Sequence, residues 1–224
     1  MSEGRVEKQR TRAKTAPRTR GLSPEKTART RAILVQAAMT EFFANGFART
    51  TMSKVAARAG LAKGTTYLYF PTKEALFAGV VRDVIINPLE EAERQEILSE
   101  ESVGAYLRRT LLPVMRRIEV SGRASVARLV LAEGAQFPFL VDVYHKEVYG
   151  PLLRHAQRCG RMAFERGEIS SEALVRFPQI LVGPLWVGMI HNGILDRENP
   201  VDIGDMFETY IDLVFSGKGP QTAL

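Results

Sequence analysis

An all-α chain is expected on three grounds. Apolar residues recur every three or four positions through most of the longer segments, the spacing of an amphipathic helix. Residues suited to helix capping, Ser23, Thr51 and Thr72, stand just before three of these runs. No segment alternates apolar and polar residues over a strand's length between turn signals. The runs divide into a three-helix unit over residues 23–73 and a larger helical bundle over 74–224, preceded by a basic arm over 1–22.

The arm holds Arg5, Lys8, Arg10, Arg12, Lys14, Arg18 and Arg20 among small polar residues. With almost nothing apolar to bury, it is expected to be disordered, as a DNA-contacting arm or a solubilising tail. The first helix starts at Ser23, with Pro24 in the first helical position and Glu25 beside the positive end of the helix. Ile33, Leu34, Ala37, Ala38 and Phe42 form its apolar stripe, and Asn45-Gly46 supplies a left-handed stop. Thr51 caps a second helix of about two turns over 52–59, closed by Gly60. A third runs from Lys63 to Tyr69 and must end near Phe70, because Pro71 disfavours helical geometry in the residue before it.

Thr72 then caps a fourth helix with Leu76, Phe77, Val80, Val81, Val84 and Ile85 on its apolar face, kinked or ended at Asn87-Pro88. Further helices are expected near 102–120, 123–136, 142–166, 171–196 and 201–216. The last two stand apart. Residues 180–195 are apolar nearly all round, and Met206, Tyr210, Leu213 and Val214 make a second apolar face.

The 224 residues, 45% hydrophobic and 25% charged, suffice for a sizeable core. A single cysteine, Cys159, forms no intrachain disulfide, which fits a reducing compartment. No apolar signal core opens the chain, and the longest apolar stretch, 180–190, is too short to span a bilayer and is interrupted by Pro184. A cytoplasmic location with no membrane partner is therefore expected. Charge is split unevenly: residues 1–73 hold 15 Lys/Arg against 4 Asp/Glu, and the rest holds 16 against 21. Such asymmetry points to a polyanion partner at one end only, nucleic acid or an anionic membrane surface. The membrane is disfavoured because no amphipathic helix pairs these cations with an apolar face.

Two short helices across a tight glycine turn form the helix-turn-helix pattern, whose second helix enters the major groove of double-stranded DNA. Leu61, Thr66 and Phe70 are placed to face inward against Val55 and Ala56, leaving Lys63, Gly64, Thr65, Tyr67 and Tyr69 outward. Gly64 lets the backbone approach DNA, Thr65 and Lys63 reach base edges or phosphate, and the tyrosines offer hydroxyls to phosphates. Arg49, Thr51, Ser53 and Lys73 flank the pair where backbone clamps belong.

Residues 33–77 resemble the DNA-binding domain of the TetR family, most tellingly at Gly46-Phe47, Thr50-Thr51-Met52, Ala59-Gly60, Lys63-Gly64-Thr65, Tyr67, Tyr69-Phe70 and Lys73-Glu74-Ala75-Leu76. Ala62, where the family often has serine, and Lys54, where it often has an acid, depart from the pattern. The segment from Arg128 to Ile169 is similar, more loosely, to the multidrug-efflux repressor subgroup. The resemblance implies a repressor that binds a palindromic operator as a homodimer through its last two helices and is released by a small-molecule effector. A ligand-independent or activating DNA-binding regulator is the alternative.

Candidate ligand-pocket residues are Glu133, Phe137, Phe139, Tyr144, Met162, Phe164 and Trp186. Glu133 shares a helical face with Val126, Leu129, Val130 and Phe137, so it either meets a ligand or pairs with an arginine such as Arg128. The aromatics and Met162 are candidates for either pocket or core. His191 is expected as a hydrogen-bonded histidine in the dimer seam. His145, His155 and Cys159 lack metal-ligand spacing, and there is no Gly-rich phosphate loop, nucleophile elbow or paired-carboxylate pattern. No enzyme activity, metal or cofactor is expected.

Overall fold

The computed structural model describes residues 23–86 and 95–215. The basic arm over 1–22, the kink at Asn87-Pro88 and the end of the last expected helix fall outside the described residues. Among those described, all regular structure is helical, as expected. The Ser23 hydroxyl accepts the Lys26 amide and opens α1 (Pro24–Arg49). Gly46 breaks it with φ 74°, at the expected left-handed stop. Thr51 caps α2 (Met52–Arg58), and Gly60 (φ 66°) turns the chain into α3 (Lys63–Tyr69). The Thr72 hydroxyl accepts the Ala75 amide at the start of α4 (Lys73–Val81), which widens into a π-helical turn, Arg82–Ile86.

Beyond residue 95 the helices are α5 (Val103–Thr110), α6 (Leu112–Arg116), α7 (Arg123–Glu133), α8 (Pro138–Tyr144), α9 (Gly150–Glu165), α10 (Ala173–Arg176), α11 (Gln179–Ile190) and α12 (Ile203–Phe215). Prolines account for most departures from the expected spans. Pro113 has no N–H for the carbonyl four residues back, and the 102–120 helix divides there. Pro138 stands in a first turn, where its missing N–H is harmless, so the 142–166 helix begins four residues early. A π turn, His145–Tyr149, then joins α8 to α9 where Pro151 interrupts the ladder. Phe177-Pro178 separates α10 from α11.

α12 lies against α5, α6 and α11, while α1 packs on α7 and α4 on α8, so the N-terminal helices rest directly on the larger bundle. Phenylalanines fill that junction. Phe47 is stacked on Phe42 and lies within ring contact of Phe77, Phe137 and Phe139, with centroids 4.9–6.1 Å away. Such clusters add edge-to-face attraction to a large buried apolar area.

Candidate nucleic-acid interface

α2 is held to α1 by buried Met52, Val55 and Ala56, and the turn into α3 is closed by Gly60 N–H to Ala57 O (3.1 Å) and Leu61 N–H to Ala56 O (2.9 Å). Thr66 and Phe70 are buried and Leu61 half-buried, as the 3.6-residue period requires. The opposite side of α3 carries Lys63, Gly64 and Tyr67, all exposed, with Thr65 and Tyr69 half-buried at its edges. Lys63 Nζ lies 5.8 Å from the centre of the Tyr67 ring, one turn away. A Cβ placed on Gly64 would meet nothing within 4 Å, so nothing inside the chain demands a glycine there.

Leu68 belongs to the same surface and was not singled out by sequence. It is 81% exposed, three residues from Thr65 and four from Gly64. That spacing was the available signal, masked by its hydrophobic type. Arg49, Thr51 and Ser53 flank the surface and are exposed. Thr51 accepts the Lys54 amide as a cap, Arg49 Nε donates to Asn45 O (3.0 Å), and Lys54 Nζ donates to Arg49 O (3.1 Å). Lys73, expected beside them as a backbone clamp, is turned inward instead. Its Nζ donates to Phe47 O (2.7 Å) and Thr50 O (3.0 Å) and sits 4.1 Å from the Phe47 ring, closing the end of α1. Burial lowers its pKa, against the opposing pull of Glu74 and Glu133.

The pocket candidates do not converge. Tyr144 and Trp186 line an open cleft of about 510 Å³ with Leu131, Val141, His145 and Tyr149. Met162 and Phe164 lie further along α9 and do not line it. Phe137 and Phe139 belong to the phenylalanine junction, not to the cleft, because residue 137 opens α8 against α4. Glu133 is a junction residue too: its carboxylate accepts the Phe47 N–H (2.9 Å) and the Ala48 N–H (2.8 Å), which the break at Gly46 leaves without helical partners. Arg128, its alternative partner by sequence, is bound to Glu119 through two hydrogen bonds of 3.0 and 2.8 Å. His191 is half-buried, with Nε2 3.1 Å from Asn199 O.

A family model described as bacterial regulatory proteins, tetR family, matches residues 34–80. The HTH-type transcriptional regulator RutR of Escherichia coli strain K12 is 33% identical over 181 residues, covering 79% of this chain and 77% of RutR. Of solved structures, the fatty acid degradation regulator FadR from Bacillus halodurans superposes with a TM-score of 0.67 at 20% identity, over 84% of this chain and 96% of its own. A SmeT–triclosan complex does so at 0.63 and 22% identity, over 83% and 90%. Among the described residues no helix is long and apolar enough to cross a membrane.

Proposed function

The chain belongs to the TetR family of bacterial regulatory proteins, and on that premise we propose that it is a cytoplasmic, effector-responsive repressor that grips a palindromic operator as a homodimer. The observation that carries the reading is the outward side of α3, where Lys63, Gly64, Tyr67 and Leu68 are all exposed. Such a surface suits a major groove: cation and hydroxyls for base edges and phosphates, Leu68 for a thymine methyl, and Gly64 for close backbone approach. Arg49, Thr51 and Ser53 clamp phosphates beside it, and Thr65 and Tyr69 contact DNA from its edges. Lys73 acts from behind, by holding the end of α1 in place.

Homodimerisation through α11, the π-helical turn His191–Leu195 that follows it and α12 is supported by their uncovered apolar side chains, among them Val187, Leu195 and Leu213, the last 77% exposed. Effector release is supported by the cleft walled by Tyr144, Tyr149 and Trp186, and by a protein of the same fold held with triclosan. The multidrug-efflux subgroup likeness of residues 128–169 is part of the same proposal. One observation favours a ligand-independent regulator: the enclosed cavity behind that cleft measures only about 30 Å³, room for a single water.

The test is binding of the full chain to duplex DNA followed by fluorescence anisotropy. Each base-edge contact is worth about 1–3 kcal/mol, so Lys63→Ala with Tyr67→Ala should weaken operator binding about tenfold or more while helix content stays unchanged. Unaltered affinity in that double variant contradicts the reading.

A further inference from the structure

Arg123 is unlike the other half-buried arginines of the bundle. Arg128 pairs with Glu119 and Arg108 with Asp212. Among the described residues Arg123, about half-buried, has no carboxylate partner, and its guanidinium donates there only to two backbone carbonyls, Val84 O (3.0 Å) and Val114 O (3.4 Å). Removal from water and the nearby Arg117 charge both lower its pKa. A planar cation so placed has donors left over and a strong preference for an anion.

The surroundings say what kind of anion. Arg123 lines the enclosed cavity together with Ile85, Met115, Tyr144, Tyr149 and Trp186. The last three also wall the open cleft of about 510 Å³, so they separate that cleft from the cavity that Arg123 lines. Trp186 meets Tyr144 and Tyr149 edge to face, with centroids 5.9 and 6.0 Å away. A turn of that indole would join cleft and cavity into one channel, apolar along its walls and cationic at its inner end. One guanidinium in an apolar setting suits a monoanion, and its fork matches the two oxygens of a carboxylate.

We propose that the bundle binds an organic carboxylate, its charged end on Arg123 and an aromatic or other apolar body against Trp186, Tyr144 and Tyr149; this rests on the effector-responsive reading above. The same arginine donates to the carbonyl of Val84 in the π turn that ends α4. An arriving carboxylate competes for those donors and loosens that turn, which the Arg31–Asp83 ion pair ties to α1. Occupancy is thereby felt by the helices that carry α3.

The chain contains one tryptophan, Trp186, so its emission reports the channel directly. Phenylacetate added to the full-length protein should change that emission saturably. The neutral isostere phenylacetamide should bind about tenfold or more weakly, since a charge-assisted bidentate contact is lost. Arg123→Gln should abolish the preference between the two, and Arg123→Lys should restore part of it; thermal melts establish that both variants are folded. Equal binding of acid and amide, or a preference that survives in Arg123→Gln, overturns the carboxylate site while leaving an effector-responsive bundle intact. An emission and an operator affinity indifferent to both compounds overturn the carboxylate site and count against the effector reading as well.

Discussion

Gly64 separates what α3 does for the fold from what it does for DNA. Its backbone is helical and no atom lies where a methyl group would go, so Gly64→Ala should stabilise the free protein by about 0.5–1 kcal/mol. The same methyl group would stand between α3 and the floor of a groove, so operator binding should weaken. Urea denaturation and duplex titration on one preparation check both, and a variant improved in both would remove Gly64 from the interface. The surface around it could be read from the sequence because its cues are local: a capping threonine, a glycine turn, a proline stop and the 3.6-residue period. Glu133 and Lys73 could not be read that way. Their partners lie 86 and 26 residues distant along the chain, and both look locally like surface or pocket residues. Gly46 is fixed by the first of them: besides its left-handed φ of 74°, a Cβ there would sit 2.1 Å from Glu133 Oε1.

Among helices, sequence periodicity located every major run, and the errors gathered where proline or a π turn divides one path into two. A hydrophobic pattern shows which side of a helix is buried but carries no record of a ladder broken at Pro113 or widened before Pro151. The same pattern shows surplus apolar residues on the last two helices, and the structure leaves Ile180, Val187, Ile194, Leu195 and Leu213 exposed within one chain. Tyr210 on α12 has a buried hydroxyl with no hydrogen-bond partner among the described residues. If these faces pair across a twofold axis, Leu213→Glu should place like charges opposite one another in a seam where they cannot be solvated. Sedimentation should then give the monomer mass, with a large loss of operator affinity, because two recognition helices no longer bind as a unit. A dimer unaffected by Leu213→Glu would place the interface elsewhere.

Across the chain as a whole, the separation of positive charge at one end from an acidic, apolar bundle at the other fits the proposed division between gripping DNA and controlling that grip. The bundle carries its own pH sensitivity. Burial, aided by Arg158, holds His155 at about 4, against 6.5 when exposed, so the unfolded chain takes up the proton first as pH falls. The contribution of His155 to stability is therefore complete above pH 6.5 and is lost as pH drops toward 4. Melting temperatures taken across that window should decline, and His155→Gln should flatten the decline; an identical slope in the variant would assign it to other groups. Everything turns, though, on two symmetry-related copies of α3 lying in successive grooves of one duplex. Selection of bound duplexes from a random-sequence pool by the full-length protein should yield a palindromic consensus with half-sites about one helical turn apart or a multiple of it. A consensus without twofold symmetry, or no enrichment over the starting pool, would contradict the account.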